Sequence, residues 1–78
     1  MKKFKVGDLV RCTHGGFLIL FSSEVADFNN SRDIAPTDYQ DCVGEVIALI
    51  HTTDLKVWYP QLRGYLILNI SYFEYFNA

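Results

Sequence analysis

The sequence predicts an all-β fold, a small five-stranded barrel formed by residues 1–78 as a single domain. Three observations lead to this prediction. Apolar and polar residues alternate in several segments, as they do along strands whose side chains point to opposite faces. Glycine and proline separate these segments at the spacing of tight turns. Closing the sheet is favourable because it removes edges that would otherwise pair with other chains, and a chain this short buries only about 60% of its unfolded surface.

The first two predicted strands span residues 9–13 and 17–21. In the first, Val10 and Cys12 fall on one face, which is the period of a half-buried strand. Gly15 and Gly16 follow as a turn, because glycine adopts positive φ without steric cost. Residues 17–21 are apolar at every position, which predicts a strand that is buried on both sides.

The central hairpin is predicted from residues 43–51 and 55–59, and the fifth strand from residues 65–70. Val46, Ala48 and Ile50 are predicted to share one face of the longest strand. Gly44 is expected to mark a bulge or a close backbone approach. Pro60 ends the second strand of the hairpin because proline cannot donate to the ladder.

Two segments break the strand pattern. Residues 22–41 are rich in asparagine, aspartate and serine and contain Pro36, which predicts one long loop. Within this loop Ser23 and Thr37 are expected to cap short helical turns. Near the C-terminus, Ser71 and Glu74 have the spacing of a capping box, which predicts a short helical turn near residues 72–75.

Composition and charge limit the function classes. Half of the residues are hydrophobic and 15% are aromatic, which excludes a disordered chain and favours a homo-oligomer or a protein partner that covers apolar surface. Two cysteines do not make a disulfide framework. The basic N-terminus is followed by no apolar run, and no segment approaches the roughly 20 apolar residues of a membrane span. We therefore expect a cytoplasmic protein without a signal peptide or a membrane contact.

The net charge of −2 disfavours a nucleic-acid ligand, although the charge is unevenly distributed. Acidic residues dominate positions 24–45, where a solvated loop is the simplest interpretation. The first eleven residues are basic. The alternative function is therefore a nucleic-acid-binding barrel that uses exposed aromatic residues together with Lys2, Lys3, Lys5 and Arg11.

Three segments resemble SH3-like barrels, a group that includes KOW-type modules and small bacterial and phage barrel proteins. Phe4-Lys-Val-Gly-Asp-Leu-Val10 resembles their first strand. Gly44-Glu-Val-Ile47 followed by Lys56-Val-Trp-Tyr-Pro60 is similar to their central hairpin, and Ile70-Ser-Tyr-Phe-Glu74 to the short turn before their last strand. The resemblance implies an SH3-like fold and little about function, since one fold hosts unrelated activities. Residues 22–41 do not carry the acidic and aromatic signature of peptide-binding SH3 domains, so recognition of proline-rich peptides is not implied.

No catalytic or cofactor motif stands out, and we expect a protein that is not an enzyme and holds no cofactor. The soft metal ligands are Cys12, His14, Cys42 and His51. Four ligands suffice for tetrahedral zinc, but the sequence has no Cys-x-x-Cys motif, so a buried thiol and a turn histidine are the favoured interpretation. A cysteine nucleophile with a histidine base would need an activated thiol, and nothing in the sequence marks one.

Aromatic residues with polar tips are the strongest candidates for a functional surface, because such residues are enriched at interfaces. Trp58 and Tyr59 are neighbours on one strand, so one is expected in the core and the other outside. The leading hypothesis is a non-enzymatic protein-interaction or self-associating module. Its expected interface residues are Trp58, Tyr59, Tyr65, Tyr72 and Tyr75.

Overall fold

The computed structural model describes residues 3–76, which form one antiparallel sheet of seven strands. The strands are β1 (Leu9–Cys12), β2 (Leu18–Phe21), β3 (Ser31–Ile34), β4 (Gly44–Ile50), β5 (Asp54–Tyr59), β6 (Gly64–Asn69) and β7 (Phe73–Tyr75). Their order across the sheet is β3-β2-β6-β5-β4-β1-β7. One short helix, α1 (Pro36–Tyr39), and 3-10 turns at Phe28–Asn30 and Ile70–Tyr72 complete the described part of the chain.

The all-β class is confirmed, but the five-stranded closed barrel is wrong. Each of the five predicted strands is present, and β3 and β7 are added to them. The sheet is open, because β3 and β7 are its two edges and do not pair with each other. Both added strands lie at the edges, so the prediction failed at the margins of the sheet and succeeded in its centre.

The predicted long loop at residues 22–41 contains ordered backbone structure. Its first part, residues 22–30, is closed by a hydrogen bond from Ser22 N–H to the Asn30 carbonyl, at 2.8 Å. The cap of the 3-10 turn is Asp27, whose carboxylate accepts from Asn29 N–H at 2.9 Å, and not Ser23. In α1 the cap lies at Ala35 rather than Thr37, and its N–H donates to the Asp38 carboxylate at 2.8 Å.

The helical turn predicted near residues 72–75 lies earlier, at Ile70–Tyr72. Its cap is Asn69, whose side-chain oxygen accepts from Ser71 N–H at 2.9 Å. Phe73–Tyr75 is instead the edge strand β7, which pairs with β1. The capping-box spacing of Ser71 and Glu74 was therefore fortuitous, because Glu74 belongs to a strand.

The core lies on one face of the sheet. It contains fully buried residues from the central strands, including Val46, Leu55, Val57 and Leu66, and the α1 residue Tyr39. Within residues 3–76 no helix is long and apolar enough to cross a membrane.

A β-bulge in β4 changes which residues of this strand face the core. Val46 lies opposite Val57, whereas Ala48 lies opposite Lys56, so Ile47 is the extra residue. Val57 and Lys56 are adjacent in β5 and point to opposite faces. The prediction that Val46 and Ala48 share a face is therefore wrong, because the bulge reverses the alternation between them.

Candidate functional site

One row of directly opposed residues runs across five strands on the outer face of the sheet, which is the face opposite the core. Leu9 of β1 lies opposite Glu45 of β4, which lies opposite Trp58 of β5. Trp58 in turn lies opposite Tyr65 of β6, and Tyr65 lies opposite Phe21 of β2. Opposed residues of an antiparallel pair project to the same face. Three consecutive members of this row are therefore aromatic, and they come from three different strands.

The aromatic rings of this row contact each other. The ring centroids of Trp58 and Tyr65 are 4.8 Å apart with a tilt of 47°. Phe28, in the 3-10 turn after β2, packs edge-on against Phe21 with centroids 5.3 Å apart. Such geometries are the favoured ones for aromatic pairs. We call Trp58, Tyr65, Phe21 and Phe28 the aromatic row.

Phe28 is the exposed end of the aromatic row. Its side chain is 70% exposed although it covers Phe21, which is buried outside the main core cluster. Two further large apolar side chains are exposed in the same stretch of chain, Phe17 just before β2 and Val25 in the loop at residues 22–30. Ile19, on the outer face of β2, is also exposed. Exposed large apolar residues near an aromatic surface are typical of a surface that binds another molecule.

Acidic residues lie next to the aromatic row, one beside Trp58 and one on the edge strand β3. Glu45 is exposed and lies directly opposite Trp58. Asp33 is exposed on the edge strand β3 and lies opposite Ile19. Among the described residues neither carboxylate has an ion-pair partner. Cations on the same face include Lys56, which lies between Ala48 and Ile67 in the neighbouring row, and Arg11, which lies two residues from Leu9 on β1 and is paired with Glu74.

The structure divides the predicted interface residues into three groups. Trp58 and Tyr65 are half-buried and meet in the aromatic row. Tyr59 is fully buried in the core, because it alternates with Trp58 along β5, so it contributes nothing to the surface. Tyr72 and Tyr75 lie elsewhere, near the β1–β7 edge.

Both of these outlying tyrosines make contacts within the chain. The ring of Tyr72 stacks on His14, with centroids 4.5 Å apart and an interplanar angle of 10°. The ring of Tyr75 packs on Phe4, and its hydroxyl donates to the Lys3 carbonyl. These contacts tie the N-terminal segment and the β1–β2 turn to the C-terminal strand, which is a structural role.

Of the predicted basic residues, Arg11 is neutralised by an ion pair, and Lys3 and Lys5 are exposed. Arg11 lies opposite Glu74 in the β1–β7 pair, and its Nε is 2.7 Å from Glu74 Oε1. Lys3 and Lys5 are exposed in the N-terminal segment, and Lys2 lies outside the described residues. Between Arg11 and the aromatic row stands Glu45, on the intervening strand β4.

The candidate metal ligands do not converge. Over residues 3–76 no group of three histidine, cysteine or acidic side chains is placed to hold a metal ion. Cys12 is buried, and burial raises the pKa of its thiol, as it also does for Cys42. His51 lies in the β4–β5 turn with φ of 57°. A shallow pocket of about 380 Å³ lies beside Cys12 and His14 and is also lined by Arg11, Gln40 and Asp41.

Phe21 and Phe28 are the members of the site that the sequence prediction missed. Phe21 was placed in a strand that is apolar on both faces, and three of that strand's side chains, Leu18, Leu20 and Phe21, are indeed buried. A strand buried on its outer face needs a cover on that face. Phe28 is the aromatic residue in residues 22–30, the segment that follows β2. It could therefore have been identified from the sequence as the residue that covers Phe21.

No protein-family model, no curated protein and no solved structure matches this chain.

Proposed function

We propose that this chain is a non-enzymatic protein-interaction module and that the aromatic row is its partner-binding surface. The observation that supports the proposal is the arrangement of two ring pairs on an outer sheet face, Trp58 with Tyr65 and Phe21 with Phe28, which the opposition of Tyr65 and Phe21 joins into one row. Trp and Tyr are the residues that most often dominate binding energy at interfaces, especially where apolar neighbours exclude water. The exposed side chains of Phe17, Val25 and Ile19 would supply such a surround.

The site also favours a protein ligand over a nucleic acid. Base stacking on Trp58 and Tyr65 is chemically reasonable, but a phosphate backbone needs a basic track beside the rings. Arg11 is paired with Glu74, and Glu45 lies directly beside Trp58. A phosphate chain that reached Trp58 from the basic N-terminal segment would pass this carboxylate. Salt-dependent retention on single-stranded DNA that disappears on removal of residues 1–5 would support the nucleic-acid alternative instead.

The SH3-like relationship and a cytoplasmic location remain part of this proposal. The 3-10 turn at Ile70–Tyr72 followed by the short last strand supports the resemblance to SH3-like barrels, whereas the open seven-stranded sheet departs from it. The unbonded thiols of Cys12 and Cys42 favour a reducing compartment.

The proposal can be tested without a known partner. Random 12-residue peptides displayed on phage are selected on the immobilised protein, and the strongest binder is synthesised. Its site is mapped by amide and indole chemical-shift changes in the ¹⁵N-labelled protein. We expect the largest changes at the Trp58 indole and at residues around Tyr65, Phe21 and Phe28.

A matched pair of variants tests the energetic role of the row. Phe28→Ser removes an exposed ring of the row. We expect it to lower the affinity for the peptide at least about tenfold, as truncation of a dominant interface aromatic residue does. The control is Val6→Ser in the N-terminal turn. The side chain of Val6 is 62% exposed, against 70% for Phe28, and we expect its removal to leave peptide binding unchanged. The proposal is overturned if no peptide is selected above background, or if the shifts map away from the row and Phe28→Ser binds normally.

A further inference from the structure

We propose that the aromatic row takes a cationic protein segment that crosses the strands, with an arginine or lysine of the partner over Trp58 and against Glu45. Apolar side chains of the same segment then pack on Tyr65 and Phe28. This inference rests on the proposed function and specifies the chemistry of its partner. The site is the outer face of the sheet. Binding there therefore differs from the recognition of proline-rich peptides in a groove between loops.

The pairing of Glu45 with Trp58 is the first observation that carries the inference. As directly opposed residues of β4 and β5 they have Cβ atoms about 5 Å apart and project to the same side. A cation above the indole ring gains from the ring's negative face, and Trp is the best of the aromatic residues in this respect. The Glu45 carboxylate is exposed and has no ion pair within residues 3–76, so it is available to the same cation.

Asp33 provides a second acidic group on the edge strand β3, opposite Ile19 and therefore two residues along the strands from the position of Phe21. The strand order places β3 four positions from β4, and each step between strands is about 4.8 Å. Along the sheet the two carboxylates are therefore about 19 Å apart, the length of roughly six residues of extended chain. A segment with two basic residues at about this separation and apolar residues between them would match both ends of the surface.

The same charges disfavour other occupants of this face. A second copy of the chain docked symmetrically through the row would bring Glu45 and Asp33 near the acidic groups of its partner. An acidic ligand would meet the same repulsion. Lys56 is a cation on this face, but it lies in the neighbouring row between Ala48 and Ile67, and Arg11 on the same face is paired with Glu74. A guest cation is therefore best placed on the Glu45 side of Trp58.

The test uses two selections from the same random 12-residue library. One uses the wild-type protein and the other the double variant Glu45→Gln and Asp33→Asn, whose exposed isosteric changes remove charge and keep the aromatic row. From the wild type we expect peptides enriched in arginine and lysine, with pairs of cations about six residues apart around an apolar centre. From the variant we expect peptides that keep the apolar centre and lose the enrichment in cations.

Titration calorimetry of one selected peptide then measures the effect of each charge. We expect Glu45→Gln to weaken binding by up to about fivefold, the range of an exposed ion pair, because the cation–π contact with Trp58 is kept, and we expect the loss to shrink in 0.5 M NaCl. Asp41→Asn, an exposed acid beside the Cys12 pocket, is the matched control and should leave binding unchanged.

The outcomes separate the two proposals. Peptides that map to the aromatic row without cation enrichment, or that bind Glu45→Gln as well as wild type, overturn the cationic partner and leave the interaction module standing. Peptides that map elsewhere overturn the proposed function itself. Concentration-dependent dimerisation in sedimentation experiments that Phe28→Ser abolishes would show that a second copy occupies the row, and it also overturns the cationic partner.

Discussion

Tyr39 and Tyr59 lie fully buried in the same core, but only the hydroxyl of Tyr39 has hydrogen-bond acceptors. The Tyr39 hydroxyl is 2.8 Å from the His14 carbonyl and 2.6 Å from the Gly16 carbonyl, so it holds the β1–β2 turn onto α1. The Tyr59 hydroxyl approaches the Cys12 backbone but makes no hydrogen bond of ordinary geometry within the described residues, and burial raises its pKa above the ordinary value. Two chemically identical groups therefore contribute in opposite directions to stability.

Phenylalanine substitutions should separate these contributions. Tyr59→Phe removes an unsatisfied buried hydroxyl, so we expect the free energy of unfolding to stay constant or to rise by up to about 1 kcal/mol. Tyr39→Phe leaves the turn carbonyls without their donor, and we expect a loss of about 1–2 kcal/mol. Urea unfolding followed by tryptophan fluorescence measures both. A larger loss for Tyr59→Phe than for Tyr39→Phe would mean that a buried water satisfies the Tyr59 hydroxyl.

Gly44 is required by close packing against β5. A Cβ at this position would collide with Val57 Cγ1 and lie 2.9 Å from Tyr59 Cζ, and both neighbours are fully buried. We expect Gly44→Ala to lower the free energy of unfolding by about 1–3 kcal/mol, the usual cost of overpacking, with an unchanged denaturant slope. Gly15→Ala is the control, since a Cβ there meets nothing within 4 Å. Equal effects of the two substitutions would argue against the packing explanation.

Stability should fall at alkaline pH. Burial raises the folded-state pKa of Cys12 and Cys42 above 9.0 and that of Tyr39 above 10.0. A raised folded-state pKa contributes stability that is fully present below the unfolded-state pKa and is lost as the pH rises through the folded-state pKa. We therefore expect a constant free energy of unfolding up to about pH 7.5 and a progressive decline above about pH 8, where the unfolded thiols begin to ionise.

Urea titrations at about pH 7 to 10.5 measure this decline, which should be shallower in Cys12→Ala. The informative quantity is the slope with pH, because Cys12→Ala also opens a small cavity in the core. A stability that rises between about pH 9 and 10 would contradict the expected direction.

The Arg11–Glu74 pair should contribute little to stability despite its short distance. Both side chains are partly exposed, so solvent and salt screen their attraction. A double-mutant cycle with Arg11→Gln and Glu74→Gln is expected to give a coupling energy of about 0.2–1 kcal/mol, reduced in 0.5 M salt. A coupling above about 2 kcal/mol would indicate that the pair is shielded from solvent.

The parts of the fold that could be predicted from sequence are those whose signal is local. Alternation and the flanking residues Pro60 and Gly64 delimited β5 and β6 to within a residue or two. The edge strand β3 has the sequence Ser-Arg-Asp-Ile, which carries no apolar period, and its pairing with β2 rather than its own composition makes it a strand. The bulge in β4 could not be predicted from the sequence either, because it depends on the register of β4 against β5.

The candidate site was predicted only in part for the same reason. Trp58 and Tyr65 are neighbours through a hairpin whose strands are consecutive in the chain, so their shared surface follows from local structure. Phe21 joins them because β2 pairs with β6, a contact between strands far apart in sequence. Alternation along the strand placed one of Trp58 and Tyr59 in the core without saying which, whereas Tyr72 and Tyr75 were included because aromatic residues with polar tips concentrate near the C-terminus, and the environments of all three tyrosines depend on tertiary packing.

The edge strand β3 also determines how this open sheet behaves in a concentrated solution. Two copies could join their β3 edges as antiparallel strands around a two-fold axis perpendicular to the sheet. The inner face of one copy would then continue the inner face of the other. Directly opposed residues must therefore project to the same face, which requires both to have even numbers or both to have odd numbers. The two registers with the greatest overlap then place Arg32 against Arg32 or Asp33 against Asp33. Like charges directly opposed are destabilising. The short, doubly charged β3 therefore disfavours the joining of two copies through their β3 edges, so charge protects this edge strand without a covering segment.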